Sequence, residues 1–171
     1  MSGPRSLAWA IIGRPLVRWS PHAAYGLRRT VLRAFGARVA GSVKIRRSVH
    51  IDRPWNLELG DLAIVGDGAY LLAREPLSIG ARAVVSQLVV LATEALGRRE
   101  GPERAAVRIE DDAWVAADAL VLPGSVVGRG AVVGARAVVG GEIPAWRVAV
   151  GRPAAARGTR SFASTGGGDA A

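Results

Sequence analysis

The chain has 171 residues and contains no cysteine, so disulfide bonds and thiolate metal sites are excluded. This length is that of one domain with appendages. The formal net charge is +9 at pH 7, and seven of the arginines lie in residues 1–38, which contain no acidic residue. The positive charge is therefore concentrated before residue 39, and the rest of the chain is close to neutral.

The basic segment 1–38 is expected to form a leader of two short helices. Its apolar run, 7–17, is too short to span a bilayer and is interrupted by an arginine and a proline. The run also lacks the small-residue cleavage site that follows a signal peptide. Ser20 and Pro21 are typical of a helix start, and Gly36 is typical of a helix end.

The second predicted helix is amphipathic. Its apolar face consists of Ala24, Leu27, Val31 and Phe35, and its basic face of Arg28, Arg29 and Arg33. We expect the apolar face mainly to cap the lower end of the repeat region that follows, as solenoids require. A compatible second role is contact of the arginines with anionic lipid head groups, aided by Trp9 and Trp19. Nucleic-acid binding is not indicated, because no recognition motif accompanies the arginines.

From Val39 onward, an aliphatic residue recurs at every sixth position. The series is Val39, Ile45, Ile51, Leu57, then Leu59, Val65, Leu71, then Ile79, Val85, Leu91, then Ile109, Val115, Val121, Val127, Val133 and Val139. The residue four places further on is usually small. Neither the helical period of 3.6 nor the strand period of 2 produces this pattern. Hexapeptide repeats of a parallel β-helix do produce it, because three short strands and three corners make one triangular coil.

The spacing also predicts the length of each coil. Eighteen-residue coils fit 39–56, 59–76, 109–126 and 127–144, with two-residue slips at 57–58 and 77–78. The coil that begins at Ile79 takes thirty residues and so carries a twelve-residue insertion. Five coils at a strand spacing of about 4.8 Å predict a prism on the order of 24 Å tall. A β-sandwich ranks below this fold, because chance alternation would have broken the six-residue register.

The predicted organisation has three parts. These are a helical leader at 1–38, a mainly β domain at 39–150 with an inserted loop at 94–106, and a C-terminal segment at 151–171. Residues 158–171 have too little apolar content to pack and are expected to form a disordered tail.

Several segments resemble the colanic-acid-biosynthesis type of hexapeptide acetyltransferases. They are Leu-Arg-Ala-Phe-Gly-Ala-Arg-Val at 32–39, Pro-Trp-Asn-Leu-Glu-Leu-Gly-Asp at 54–61, and the segments 79–87, 109–115, 121–124 and 150–154. The resemblance implies a left-handed parallel β-helix, a homotrimer and acetyl-CoA as donor, without a metal. It also implies a sugar or lipid-linked saccharide of exopolysaccharide biosynthesis as acceptor. The implied location is the cytoplasm, peripheral to the inner membrane.

In that family, a loop histidine removes the proton from the acceptor hydroxyl, and backbone N–H groups stabilise the oxyanion. Alignment on residues 86–87 and 91–93 places Leu96 where this histidine is expected. The general base is therefore missing. Glu94 is the titratable residue nearest to that position and is the candidate base, although an ordinary charged loop residue is the favoured interpretation.

The remaining charged and histidine side chains are assigned weaker roles. The two histidines of the chain, His22 and His50, are interpreted as surface or structural residues. His50 should lie on the order of 10 Å from the loop base along the axis. The loop arginines Arg98, Arg99 and Arg104 suit either an anionic ligand or a solvated loop.

The resemblance also assigns the cofactor side. Small residues that line the pantetheine arm in the family match Ala117 and Ala135. A Thr-Lys pair of the family is replaced here by Gly140 and Gly141, which removes a hydroxyl and a cation. Arg152 and Arg157 remain as candidates for the nucleotide phosphates.

Two main functions stay open. The first is an O-acetyltransferase with a relocated or substituted base, whose rate would come from positioning and oxyanion stabilisation. Loss of a general base removes on the order of 10²–10⁴ in rate. The second is a catalytically silent trimeric scaffold or binding module, or a mixed-trimer partner of an active paralogue. A weaker third is a transferase for a different nucleophile, such as a more acidic amine.

Overall fold

The computed structural model describes residues 3–95 and 102–161, which form a parallel β-helix preceded by a helical leader. Each coil contributes one short strand to each of three sheets, and the strands of successive coils pair in parallel. The predicted fold class is confirmed. Among the described residues, no helix is long and apolar enough to cross a membrane.

The strands are two to six residues long. Sheet A contains β1 Arg38–Val39, β4 Leu57–Leu59, β7 Leu77–Ile79, β10 Val107–Ile109, β13 Val126–Val127 and β16 Glu142–Ile143. Sheet B contains β2 Lys44–Ile45, β5 Ile64–Val65, β8 Val84–Val85, β11 Trp114–Val115, β14 Val132–Val133, β17 Arg147–Gly151 and β18 Ala154–Thr159. Sheet C contains β3 His50–Ile51, β6 Tyr70–Leu72, β9 Val90–Ala92, β12 Leu120–Val121 and β15 Val138–Val139.

The aliphatic residues of the six-residue register stack inside the prism. In sheet B, for example, Val65 pairs with Val85, Val85 with Val115, and Val115 with Val133. All four side chains are 0 % exposed. Each such burial stabilises the fold by about 1.5–3 kcal/mol before conformational entropy is subtracted. The small residues of the repeat, such as Ala63 and Ala113, are buried as well.

Coil length varies along the prism. Val39 pairs with Leu59 and Leu59 with Ile79, which confirms the two predicted slips. Ile79 pairs with Ile109, so the third coil takes thirty residues. The prediction of eighteen residues for the last coil is wrong, because Val127 pairs with Ile143, only sixteen residues on. The chain enters β16 directly after Gly140 and Gly141, so this corner is two residues shorter than the preceding one.

The leader begins with a continuous helical stretch. Its parts are α1 Pro4–Ala8, a π-helical turn at Trp9–Gly13, and α2 Arg14–Arg18. A ten-residue helix, α3, follows at Tyr25–Ala34. After α3, the Ala37 N–H donates to the Leu32 carbonyl (3.0 Å) and the Gly36 N–H to that of Arg33 (2.8 Å). Gly36 has a φ of +92°, so it ends the helix as predicted.

The predicted start of the second helix is wrong. Ala24, not Ser20, is the residue before the first turn of α3, and it makes no side-chain capping bond. The Ser20 hydroxyl instead donates to the Val17 carbonyl at the end of α2 (2.7 Å). The serine therefore closes the preceding helix rather than opening the next one.

The two predicted faces of α3 are each wrong at one position. Leu27 is 46 % exposed, whereas Arg28 is 0 % exposed. The buried residues of α3 are Arg28, Val31 and Leu32. Arg28 is buried because its guanidinium bonds the Ser20 hydroxyl and the carbonyls of Pro21 and His22 at 2.7–2.9 Å.

The C-terminal strands β17 and β18 form an antiparallel hairpin at the end of sheet B. The expectation of disorder from residue 158 is therefore wrong for Gly158 and Thr159, which pair with Val148 and Arg147. Residues 162–171 of the predicted tail lie outside the described residues.

Candidate functional site

One corner of the prism gathers part of the predicted cofactor site. This corner, between sheets B and C, is called the BC corner and includes 116–118 and 134–136. The Arg136 N–H donates to the Ala117 carbonyl (3.0 Å), so Ala117 and Ala135 occupy equivalent places in successive coils. Arg152 joins them, because its Nε donates to the Arg136 carbonyl (2.6 Å). Ala117 is half-buried, and Ala135 and Arg152 are exposed.

Gly140 and Gly141 lie at a different corner, between sheets C and A, which is called the CA corner. The Gly141 N–H donates to the Ser125 hydroxyl (3.2 Å). A Cβ on Gly141 would meet no atom within 4 Å, so the backbone here borders open space. Within one chain, sheet C therefore separates these glycines from Ala117 and Ala135.

The inserted loop also leaves the prism at the CA corner. Its base is a short ladder in which the Ala95 N–H donates to the Glu103 carbonyl (2.8 Å) and the Ala105 N–H to that of Thr93 (3.0 Å). A Cβ on Gly124, one coil further on, would lie 3.2 Å from a Pro102 carbon. The loop base thus leans over the next coil of the same corner.

Glu94 is held at this loop base by two arginines. One carboxylate oxygen lies 2.7 Å from Arg74 Nε, and the other lies 3.5 Å from Arg104 Nε. The Glu94 side chain is 28 % exposed. Arg104, interpreted from sequence as a ligand contact or a solvated side chain, is thus a partner of Glu94. Leu96, Arg98 and Arg99 lie outside the described residues.

Both histidines lie at the lower end of the molecule. Arg46 Nη1 donates to His22 Nε2 (2.7 Å), because a guanidinium has only donors. The His50 ring stacks on that of Tyr70, with centroids 4.4 Å apart and planes within 5°. His50 borders a groove of about 480 Å³ between the leader and sheet C. β3, which carries His50, is two strands from β9, a separation of about 10 Å.

Arg157 is not brought near the other predicted cofactor residues by any contact among the described residues. It is exposed on β18, at an irregular point where Gly158 pairs with Val148 and Ala156 with Ala149.

The third corner, between sheets A and B, is held by charge pairs. Arg82 donates to both carboxylate oxygens of Asp112, at 2.6 and 2.9 Å. These hydrogen bonds lower the pKa of Asp112 below its usual value. Arg160 donates to the Asp112 and Gly130 carbonyls (2.8 and 3.1 Å), which ties the chain after β18 to this corner. We assign this corner a structural role.

The outward faces of the three sheets differ in polarity, a feature that the inward register alone did not reveal. Sheet A presents mainly polar residues: Arg38, Glu58, Ser78, Arg108, Val126 and Glu142. Sheets B and C present mainly apolar ones: Lys44, Ile64, Val84, Trp114, Val132 and Val148, and His50, Tyr70, Val90, Leu120 and Val138. Trp114 is 45 % exposed and donates to the Ser86 hydroxyl beside the BC corner (2.9 Å). The polarity of these faces could have been predicted from the sequence, because the outward residue is the one that precedes each inward aliphatic residue.

No group of three or more metal-ligating side chains that could hold a metal ion occurs among residues 3–95 and 102–161. The candidate site thus consists of small residues, arginines and exposed backbone at two corners.

This fold and this arrangement define a hexapeptide-repeat protein of the transferase type. Residues 106–141 match the family described as bacterial transferase hexapeptide (six repeats). The WcaF protein of Escherichia coli (strain K12), described as a colanic acid biosynthesis acetyltransferase, is 38 % identical over 149 residues. That match covers 85 % of this chain and 82 % of WcaF. The chain therefore belongs to the hexapeptide-repeat acetyltransferase family.

Solved structures share the fold across nearly the whole chain. A maltose O-acetyltransferase from Clostridium difficile 630 has a TM-score of 0.80 at 20 % identity, over 92 % of this chain and 88 % of that one. A hexapeptide-repeat acetyltransferase from Vibrio cholerae O1 biovar eltor, complexed with acetyl-CoA, has a TM-score of 0.77 at 22 % identity, over 92 % and 87 %. At these identities the likeness concerns the fold alone.

Proposed function

We propose that the protein is an acetyl-CoA-dependent O-acetyltransferase acting on a sugar hydroxyl of an exopolysaccharide precursor. The observation that carries this proposal is the relation to WcaF, which covers most of both chains. The acetyl-CoA complex of the Vibrio cholerae neighbour supports the same donor. We also propose a cytoplasmic location, with the basic leader facing the inner membrane when the acceptor is lipid-linked.

The active unit in this proposal is a homotrimer with a site shared between neighbouring subunits. Two observations support it. The predicted residues of one chain are divided between the BC and CA corners, and association of copies would bring the BC corner of one beside the CA corner of another. The apolar outer faces of sheets B and C also favour association, because large exposed apolar surfaces mark interaction sites. A closed ring uses two different surfaces of each subunit.

On the acetyl-CoA side of the site, the proposed role of each residue follows from the backbone or side-chain atoms that it exposes. Ala117 and Ala135 would line the pantetheine arm, because their small side chains leave the backbone open. Gly140 and Gly141 would leave room at the facing corner. Arg152 and Arg157 would bind the phosphates by charge-assisted hydrogen bonds, and Arg152 would keep its bond to the Arg136 carbonyl through Nε while using its other nitrogens.

On the acceptor side, Glu94 is the proposed base, and its surroundings set a condition for that role. Both of its oxygens lie near guanidinium groups, at 2.7 and 3.5 Å, so opening one of these pairs would give a sugar hydroxyl fuller access to an oxygen. Ligand binding at the loop would have to supply that opening. Glu94 otherwise acts only as a clamp between Arg74 and the loop base.

The second candidate function, a silent scaffold or mixed-trimer partner, is favoured by a specific observation. The two histidines of the chain are engaged with Arg46 and Tyr70 at the lower end, and Leu96 stands at the expected position of the loop histidine. A silent member would keep the trimer and the donor groove but not turn over.

Thioester cleavage separates these functions. Purified protein with acetyl-CoA and a nucleotide- or lipid-linked sugar is expected to release free CoA. If Glu94 is the base, Glu94→Gln should lower that rate by about 10²-fold or more, whereas Arg74→Met, which frees one oxygen, should preserve it. Glu58→Gln on the charged face of sheet A is the matched control and should have no effect, because Glu58 is exposed and its pair with Arg38 spans 3.6 Å.

If Glu94→Gln and Arg74→Met lower the rate of CoA release equally, Glu94 acts as a structural clamp rather than as a base. No release by the wild type, together with release by Leu96→His, would establish the silent alternative. Calorimetry provides the broadest test, because absence of CoA binding at millimolar ligand would remove the acetyl-CoA proposal altogether.

A further inference from the structure

The first helical stretch, 4–18, lies on the prism along a narrow stripe. Its buried residues are Trp9, Gly13 and Val17, one on each successive turn. Trp9 Nε1 and Arg14 Nε both donate to the Ile51 carbonyl, at 2.8 and 3.2 Å. A Cβ on Gly13 would overlap the Trp9 indole, so the helix and this ring are closely fitted. The stretch is therefore anchored, and its outer side has a defined orientation.

That outer side is apolar where a water-facing helix is normally polar. Five large apolar side chains are exposed, and we call them the leader face: Leu7 (58 %), Ile11 (64 %), Ile12 (54 %), Leu16 (47 %) and Trp19 (84 %). They follow one another within thirteen residues, whereas Leu62 and Leu88 are exposed residues at two separate corners of the prism. Exposed apolar side chains concentrated in this way mark an interaction surface.

The charges around the leader face indicate what it contacts. Arg18 is exposed beside it, whereas Arg5 and Arg14 each donate to a protein carbonyl, that of Phe35 and that of Ile51. Asp52 lines the adjoining groove and already lies 3.9 Å from Arg53 Nε, so the charge around the leader face is net positive. A second copy docked through the same face would bring two sets of arginines together, and the Asp52 carboxylate in the adjoining groove already lies near Arg53. An anionic bilayer surface satisfies both features, because lipid phosphates pair with Arg18 and the acyl boundary accepts the apolar side chains.

Trp9 and Trp19 were both expected to aid contact with lipid, but the structure exposes only Trp19 of the two. Trp9 is 1 % exposed and donates its indole N–H inside the protein, so it is not available to a membrane. Trp19 stands at the end of the leader face and is 84 % exposed. An indole at this place suits the head-group region, where one edge is apolar and the N–H is hydrated.

We infer that the leader face inserts in-plane into a bilayer bearing anionic lipid, with the five apolar side chains at the head-group boundary and Arg18 on the phosphates. This deepens the proposed location at the membrane and rests on it. The helix lies on the bilayer rather than crossing it, at a depth of about 5–10 Å.

Vesicle flotation with the full chain tests this inference. Wild-type protein should float with phosphatidylcholine vesicles containing about one third phosphatidylglycerol, and much less with pure phosphatidylcholine. Ile11→Gln with Ile12→Gln should reduce the partition coefficient at least about tenfold, because two inserted side chains are lost. The matched control, Leu62→Gln with Leu88→Gln, removes equally exposed apolar side chains from the prism and should float like the wild type.

Three results would overturn the inference: no preference for anionic vesicles, an Ile11/Ile12 variant that floats normally, or a control variant that loses flotation equally. Sedimentation velocity without lipid tests the other possible occupant of the leader face, which is a second copy of this chain. A lower mass for the Ile11/Ile12 variant would show that a second copy covers the face. CoA calorimetry on the same samples keeps the proposals separate, because flotation without CoA binding contradicts only the proposed activity, and the reverse contradicts only the membrane surface.

Discussion

Arg28 shows how a single buried cation organises the leader. Its guanidinium is surrounded by the Ser20 hydroxyl and two loop carbonyls, and its Cζ lies 4.7 Å from the centre of the Tyr25 ring. No carboxylate pairs with it among the described residues, and its Nε has no hydrogen-bond partner there. Burial lowers the pKa of Arg28 below its usual value. The loop between α2 and α3 is thus held by dipoles around one charge.

Replacing this cation should destabilise the protein. Arg28→Met removes three hydrogen bonds and leaves the loop acceptors unsatisfied, so we expect the free energy of unfolding to fall by about 3 kcal/mol. Denaturant unfolding would measure the change. Arg38→Met is the control, because the Arg38 side chain is 83 % exposed and its pair with Glu58 spans 3.6 Å; the expected change is below about 0.5 kcal/mol. Equal stability of the two variants would contradict this role of Arg28.

At the scale of elements, the corners explain how the coils repeat. Seven non-glycine corner residues have φ between 56° and 61°: Leu62, Arg82, Leu88, Asp112, Asp118, Arg136 and Trp146. All but Leu62 donate their N–H to a carbonyl of the preceding coil, at 2.8–3.1 Å. A left-handed conformation costs roughly 1–2 kcal/mol for such residues, and these inter-coil hydrogen bonds offset that cost. Gly68, Gly124 and Gly130 take the same conformation at other corners, with φ from 65° to 78°, so these turns combine a position that favours glycine with hydrogen bonds between coils.

Substitutions at inward and outward positions of one strand should differ sharply in their effect on the free energy of unfolding. Val127→Ala leaves a cavity in a side-chain stack that is 0 % exposed, so we expect a loss of about 2 kcal/mol of unfolding free energy. Val126→Ala, its neighbour on the outward face of sheet A, should cost less than about 0.5 kcal/mol. Thermal and denaturant unfolding of both variants would measure the difference. The reverse order would contradict the inward assignment of the six-residue register.

At the scale of the whole molecule, the divided site makes a quantitative prediction about mixed oligomers. Ala135→Phe should block the BC corner and Gly140→Phe the CA corner, and both positions are exposed, so folding should persist. Each variant alone is expected to lose CoA binding. In randomly mixed trimers, about one quarter of shared sites would combine two intact corners, so calorimetry should recover about a quarter of the binding.

Recovery of binding requires sites formed between subunits. If each site lay within one chain, every mixed subunit would still carry a defect, and no binding would return. Sedimentation of the separate variants should first verify that each forms the same oligomer as the wild type.

Much of the fold follows from local pattern, whereas the site follows only in part. The six-residue register from Val39 to Val139 predicts the coils, because every position of this register is buried inside the β-helix and is filled by a branched aliphatic side chain. The sixteen-residue length of the last coil was not predicted. The two-residue corner at Gly140 and Gly141 shortens this coil, and no change in the preceding residues indicates it. The structure brings Arg152 to the corner of Ala117 and Ala135 through the Arg136 carbonyl, and it leaves Gly140 and Gly141 at another corner of the same chain.

The amino-acid sequence by itself determined the six-residue period and the basic leader, because each is a property of consecutive residues. Tertiary structure alone decided that Arg28 is buried and Leu27 exposed, that Glu94 is clamped by Arg74 and Arg104, and that the leader turns an apolar face outward. These outcomes depend on which distant segments meet. Contacts between segments far apart in the chain set burial and pairing, and no local pattern encodes them.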